Sequence, residues 1–143
     1  MAIDKNLIIT DSVIINAPAY KVWQGLTDPA LVKQYFYGTD VQTSWSKNSP
    51  IVFRGEWEGK TYEEKGEILD IENNKLISYS YLTTGLQDIP ENYAIITYLL
   101  NDNHGHTTMR VKQQGFRNEE AMEHSIAGWK QILSGLKSLV ESL

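Results

Sequence analysis

The feature that most constrains the fold is a long apolar stripe at the end of the chain. Apolar side chains recur there at alternating steps of four and three, which predicts an amphipathic helix. Asn118 is well placed to cap this helix, and Glu119 and Glu120 face the positive end of its dipole. A helix with such a stripe must lie against another layer of the protein. The stripe consists of Met122, Ile126, Trp129, Leu133, Leu136, Val140 and Leu143, with Ile132 and Leu139 beside it.

Length and composition limit the classes of protein that remain. Residues 1–143 are enough to bury one core, so we expect a single domain. The absence of cysteine excludes disulfides and thiolate catalysis within this sequence. The net charge of −5 argues against nucleic acid as a partner, because such binding relies on clustered Lys and Arg. No apolar stretch is long enough for membrane insertion, and the first residues lack a signal-peptide core, so we expect a cytoplasmic protein.

The segments before the stripe predict one strand, two short helices and six further strands. Residues 7–16 predict the first strand, and residues 18–26 and 29–36 predict the helices, with Asp28 capping the second ahead of Pro29. The turn sequences EGK, NN and NHG then favour an antiparallel meander. The longer connection at 83–92 has the composition of a loop that covers apolar side chains. The six later strands are VQTSW, PIVFRGEW, TYEEKGEILDIE, LISYSYL, YAIITYLL and TTMRVKQQ.

This order of elements predicts an α+β fold with a hollow interior. The C-terminal helix can bury its stripe only on the concave face of the curved antiparallel sheet, and the two short helices close one end. A strongly twisted sheet that curls around one helix leaves space between the two layers. We therefore expect an apolar cavity between the sheet and the C-terminal helix.

Four stretches of the chain carry a resemblance to a known family. LTDPALVKQYF, GEILDIENNKLISYSY, TTMRVKQQGF and GWKQILSGLKSLVES resemble the heat-shock-chaperone ATPase activator-like family of the START/SRPBCC superfamily. The resemblance extends over residues 9–142. It implies the helix-grip (Bet v 1-like) fold and, commonly, binding of a hydrophobic small molecule between sheet and helix. The resemblance does not imply a particular reaction, and we expect no cofactor.

The candidate ligand-binding residues are those that strand alternation or helical spacing turns toward the cavity. Aromatic rings with a polar tip suit a planar, partly hydroxylated ligand, because they provide stacking area and hydrogen bonds. The alternative is that the same rings simply pack the core. The candidates are Tyr35, Phe36, Phe53, Tyr62, Glu64, Ile68, Tyr79, Tyr81, Met109, Val111, Gln113, Met122, Ile126, Trp129 and Leu133.

Glu64 has two interpretations. It shares a strand face with Tyr62 and Ile68, so it would point into the cavity and become an acid, a base or a ligand anchor. A bulge at Gly66 would instead turn its carboxylate to water.

The glycines of the last helix and the histidines also have alternative interpretations. Gly128 and Gly135 lie seven residues apart, so either packed backbone or a ligand approaches one side of the helix closely. His104 and His106 flank a predicted turn and could in principle bind a metal with His124, but a solvated turn is the simpler interpretation. We therefore expect no metal site.

Three functions remain open at this point. The first is binding of a hydrophobic, planar small molecule, such as a polyketide, a flavonoid-like compound or a lipid. The second is a chaperone-associated interaction protein that acts in a stress response through the outer face of its sheet. The third is a cyclase-like, hydrolase-like or isomerase-like enzyme that uses Glu64 or a tyrosine hydroxyl. An exposed edge strand would also allow a homodimer.

Overall fold

The structure, a computed structural model, describes residues 2–143 apart from the side chain of Trp57. The predicted order of one strand, two helices, six strands and one long helix is confirmed. The elements are β1 (Asp4–Ile15), α1 (Ala19–Thr27), α2 (Pro29–Tyr35), β2 (Asp40–Thr43), β3 (Pro50–Trp57), β4 (Lys60–Glu72), β5 (Leu76–Tyr81), a 3-10 turn (Pro90–Asn92), β6 (Ala94–Asn103), β7 (His106–Phe116) and α3 (Glu119–Glu141).

The seven strands form one antiparallel sheet in the order β1-β7-β6-β5-β4-β3-β2. Strands β2 to β7 are a meander, and β1 pairs with β7, so the first strand of the chain lies beside the last. α3 packs on the inner face of this sheet, beside α1 and α2. This is the α+β, Bet v 1-like helix-grip fold. None of the helices described for residues 2–143 combines the length and apolar character needed to cross a membrane.

The predicted caps and turns position these elements. The side chain of Asp28 accepts a hydrogen bond from Ala30 N at 3.0 Å, and that of Asn118 accepts one from Ala121 N at 2.9 Å. The hairpins turn at residues with positive φ, including Asn74 at 65°. The predicted apolar stripe is wrong at Leu143, which lies beyond the end of α3 and is 45% exposed.

Burial alternates along β4 and resolves the orientation of Glu64. Tyr62, Glu64 and Ile68 face inward, and the register with β5 shifts only between Ile68 and Asp70, beyond the carboxylate. The bulge considered at Gly66 is therefore wrong. A Cβ at Gly66 would collide with the Ser80 carbonyl oxygen, so this glycine allows two strands to approach closely.

Strand β6 could not be oriented from the sequence, because it is apolar on both faces. In the structure its inner face consists of Ala94, Ile96, Tyr98 and Leu100, all buried. On β5 and β7 the predicted alternation is confirmed, since Tyr79, Met109 and Val111 are at most 2% exposed.

Candidate functional site

A cavity of about 340 Å³ lies between the inner face of the sheet and the first half of α3. We call it the main cavity. Its volume lies near the lower end of ordinary ligand pockets, which begin at about 300 Å³. Predicted residues that line it are Phe36, Phe53, Tyr62, Glu64, Tyr79, Tyr81, Gln113 and Trp129.

Aromatic rings form a continuous wall around this space. Phe36 stacks on Phe53 with ring centroids 6.3 Å apart and meets the Trp129 ring edge-on at the same distance. Phe53 also contacts Tyr79 and Tyr81, at centroid distances of 5.6 and 5.5 Å. Such rings offer flat apolar surfaces against which a planar molecule can stack.

The hydroxyls of Tyr79, which lines the main cavity, and of Tyr98, which packs behind it, stay protonated at neutral pH. Tyr79 and Tyr98 share a hydrogen bond of 2.9 Å between their hydroxyl oxygens. Burial raises the pKa of Tyr79, and proximity to Tyr98 raises it further. Burial likewise raises the pKa of Tyr98. This hydrogen bond joins the two hydroxyl oxygens, so Tyr79 presents mainly its ring to the main cavity.

Glu64 is anchored at the mouth of the main cavity. Its carboxylate accepts a short hydrogen bond from the Tyr81 hydroxyl and a second one from Thr84 N at 2.9 Å. Burial raises the pKa of Tyr81, and the adjacent Glu64 carboxylate raises it further. The Tyr81 proton therefore stays on its oxygen and points at Glu64, so the lone pairs of that oxygen can accept a hydrogen bond from a ligand.

Gln113 lies at the far wall, opposite α3. Its Oε1 accepts a hydrogen bond of 2.8 Å from Trp129 Nε1. Because an indole nitrogen can only donate, this bond fixes the orientation of the Gln113 amide. Among residues 2–143, no hydrogen bond is made by Gln113 Nε2. The nearly buried amide therefore offers a donor to a ligand oxygen.

The remaining predicted residues do not line the main cavity. The Tyr35 hydroxyl donates to the Gly25 carbonyl at 2.8 Å, and its ring lines only a void of about 20 Å³ on the α1–α2 side. Ile126 is 38% exposed, and Met122 packs at the edge of the core. The buried core holds the rest, which are Ile68, Met109, Val111 and Leu133.

Sequence reasoning missed part of the wall. Ile96 pairs with Tyr79 across β5 and β6, so the strand register would have found it once β6 was oriented. Ser125 and Ile132 lie four residues before and three after Trp129, so helical spacing indicates them. The other missed residues are Tyr37, Thr39, Thr83 and His124.

The two glycines of α3 differ in their surroundings. A Cβ at Gly135 would lie 2.9 Å from Tyr35 Cβ, so this glycine allows α2 to pack closely on α3. Among the described residues, Tyr37 Oη is the one atom outside α3 that would lie within 4 Å of a Cβ at Gly128, at 3.7 Å, and Gly128 lines the main cavity. One glycine serves packing, and the other widens the cavity.

The histidines do not converge. His104 lies in the β6–β7 turn with φ of 56°, and His106 Nδ1 is 2.9 Å from Asn16 Oδ1. His124 lies on α3 at the rim of the main cavity. Within residues 2–143, no group of three or more possible ligands is arranged to hold a metal ion.

The main cavity opens to solvent through a wide outer mouth of about 750 Å³. Tyr37, Tyr62 and Glu64 line both spaces. A hydrogen bond of 2.9 Å between the Tyr62 hydroxyl and Thr39 Oγ1 holds the Tyr62 side chain in place. A small molecule can therefore reach the aromatic wall from this side.

Solved structures share this architecture. A protein from Cytophaga hutchinsonii is 38% identical, with 99% of this chain and 97% of that chain covered and a TM-score of 0.81. DynU16, from the dynemicin biosynthetic locus, is 18% identical, with 94% and 47% covered and a TM-score of 0.79. The Aha1 dimer from Colwellia psychrerythraea is 18% identical, with 94% and 96% covered and a TM-score of 0.74. No curated protein matches the chain.

The sequence itself matches one family profile over nearly its whole length. That profile is described as Activator of Hsp90 ATPase homolog 1-like protein, and it matches residues 16–141. The resemblance predicted from the four sequence stretches is confirmed. The chain therefore belongs to the Activator of Hsp90 ATPase homolog 1-like family.

Proposed function

We propose that the protein binds a hydrophobic, planar small molecule in the main cavity, between the sheet and α3. The observation that carries this proposal is a cavity of about 340 Å³ that aromatic rings surround and that a wide mouth connects to solvent. A solidly packed core would have closed this space. Polyketides, flavonoid-like compounds and lipid-derived rings have the required shape. The similar fold of DynU16, a protein from a biosynthetic locus, supports a small-molecule role.

Two polar groups would orient such a ligand. Gln113 Nε2 can donate to a carbonyl or hydroxyl oxygen, and the Tyr81 hydroxyl oxygen can accept from a ligand hydroxyl. A hydrogen-bonding group in an apolar pocket selects strongly against ligands that leave it unpaired. The proposed ligand therefore carries a hydroxyl or carbonyl on its ring.

The test is calorimetric titration with 2-naphthol and the flavanone naringenin, using wild type and a variant with a filled cavity. Gly128→Leu places a side chain in the main cavity without disturbing packed backbone. Ala127→Leu adds the same side chain to the exposed face of the same helix. We expect Gly128→Leu to lose at least tenfold in affinity and Ala127→Leu to bind like wild type. Unchanged binding by Gly128→Leu, or no binding by wild type, would contradict the proposal.

The family description favours a second candidate function. A chaperone-associated role in a stress response stays a prediction, with the outer face of the sheet as the contact surface. Pull-down from lysate tests it, because an interaction protein enriches one chaperone reproducibly and a ligand carrier does not. The homodimer, the cytoplasmic location and the enzyme that uses Glu64 also stay predictions.

A further inference from the structure

A second, smaller cavity lies beside the main cavity. Its volume is about 250 Å³, and we call it the side chamber. Thr83, Gln113 and Ser125 line both spaces, so the side chamber adjoins the main cavity at these three residues. Leu86 and Arg117 line the side chamber and not the main cavity. A ligand seated against the aromatic wall can therefore extend past Gln113 toward Arg117.

Arg117 is a free cation at this chamber. Among residues 2–143, no carboxylate lies within ion-pair distance of its guanidinium, and the guanidinium makes no hydrogen bond. Its Nη2 lies over Gly85 in the connection between β5 and β6, 3.8 Å from where a Cβ would stand. A guanidinium with free donors is well suited to a carboxylate, which it can bind through two parallel hydrogen bonds.

Asn92 is a second sign that the side chamber receives a polar group. The residue is 2% exposed, and its Nδ2 donates to the Gln87 carbonyl at 2.8 Å. Its Oδ1 is buried and has no partner among residues 2–143. An unpaired buried acceptor is rare in folded proteins, because it costs about 1–3 kcal/mol. A ligand hydroxyl, or a water carried in with a carboxylate, would satisfy this oxygen.

The outer mouth and the side chamber meet at Thr84, which lines both, but they differ in charge. Of the residues that the structure describes, Glu56, Glu58, Glu64 and a single cation, Lys60, line the outer mouth, whereas Arg117 and no acidic residue line the side chamber. An anionic group would be repelled at the outer mouth and attracted at the side chamber. The charge difference therefore sets the direction in which an elongated anion lies.

We infer that the ligand is an amphipathic anion, whose planar apolar end lies in the main cavity and whose carboxylate reaches Arg117 through the side chamber. This inference rests on the proposed function, since the apolar end occupies the same aromatic wall. Gln113 stands between the two chambers and donates to an oxygen in the middle of the molecule.

The experiment compares two probes with the same ring and chain length but different end groups, the carboxylate 4-(1-naphthyl)butanoate and the neutral alcohol 4-(1-naphthyl)butan-1-ol, by calorimetric titration. Wild type should bind the acid at least about tenfold more tightly, which is the weak end of the range for one hydrogen bond between charged groups. Arg117→Gln should remove this preference and leave the alcohol within twofold of wild type, and Arg117→Lys should keep part of it. The control is Arg110→Gln, which removes the same charge from an exposed site on β7. The preference should also weaken as salt is added.

The outcomes separate the two claims. If the alcohol binds but the acid gains nothing, or if Arg117→Gln leaves the preference for the acid intact, the inferred anion site is wrong and the proposed function stands. If neither probe binds to wild type, the proposed function itself is wrong. If Arg110→Gln reduces the preference as much as Arg117→Gln, net charge rather than the side chamber explains it, and the inference is overturned.

Discussion

The two halves of α3 lie in the same groove but meet very different interiors. The second half is packed solidly, with Leu136 and Val140 at most 1% exposed, and a Cβ on Gly25 of α1 would come within 2.8 Å of Val140 Cγ2. The first half passes over the main cavity, which Gly128 lines and where a Cβ at Gly128 would lie 3.7 Å from Tyr37 Oη, without a clash. The second half of α3 therefore packs in the core, whereas its first half covers the main cavity.

The difference follows from side-chain type. The packed end is filled by branched aliphatic residues such as Ile15, Val22 and Leu136, none of which has exposed surface. The hollow end is walled by flat rings, and several of their hydroxyls are tied to other protein groups. Rings held apart in this way cannot collapse on one another. Stability and binding are therefore assigned to separate halves of the molecule.

The largest expected difference between the two halves of α3 is in the stability lost when an aliphatic side chain is truncated to alanine. Leu136→Ala is expected to lower the free energy of unfolding by about 4 kcal/mol, because a fully buried side chain is lost from a packed site. Ile132→Ala, at the wall of the main cavity, should cost about 2 kcal/mol, since fewer atoms surround it. Urea unfolding at constant m-value measures both. Equal costs would show that the two ends are packed alike.

The second-largest expected effect is a loss of stability at alkaline pH, which arises from Tyr98 behind the aromatic wall. The pKa of Tyr98 in the folded protein is raised by burial above its unfolded value of about 10. The contribution of Tyr98 to the free energy of unfolding is complete below pH 10. It is lost as pH rises toward the pKa of the folded state, because the unfolded chain releases the proton first. Between the two values the free energy of unfolding should fall by about 1.4 kcal/mol per pH unit.

Tyr98→Phe tests this contribution. The variant should show a shallower fall of stability between pH 10 and 11 than wild type, measured by urea unfolding at each pH. The Tyr79 hydroxyl loses its partner in this variant, so a constant loss of stability at all pH values is also expected. Parallel curves for the two proteins above pH 10 would refute the link to Tyr98.

The smallest expected effects come from alanine substitution of the two glycines of α3, which should change the stability in opposite directions. Gly135→Ala is expected to destabilise by about 1 kcal/mol, because crowding against Tyr35 outweighs the gain in helix propensity. Gly128→Ala should stabilise by about 0.5–1 kcal/mol, since the added methyl meets Tyr37 Oη at an ordinary contact distance and improves helix propensity. Thermal unfolding of the pair checks this. A shift of the same sign in both variants would contradict the division of α3 into two halves.

The sequence predicted the architecture better than the site. Alternation placed Tyr79 and Gln113 on the inner face correctly, because each strand has one polar and one apolar side. It could not orient β6, where both sides are apolar, and so it missed Ile96. Tyr35 was misplaced, because helical spacing shows which side of α2 is buried but not which neighbour covers it.

The partners of the polar groups lie outside any local pattern. Glu64 is bound by Tyr81 and Thr84, which are 17 and 20 residues away, and the Gln113 amide is oriented by Trp129 on another element. Such pairs depend on strand register and on the direction in which α3 crosses the sheet. Periodicity fixes neither of these, so the chemistry of the site appears only in three dimensions.

The most direct test of the central claim is an NMR structure of the complex with 2-naphthol. Intermolecular nuclear Overhauser effects should connect the naphthol ring to the Trp129 indole N–H and to the rings of Phe53 and Tyr79. The same complex should leave the signals of Leu136 and Val140 unshifted, because the packed end has no room for a ligand. Contacts confined to the outer face of the sheet, or bound naphthol without contacts to Trp129, would contradict the account.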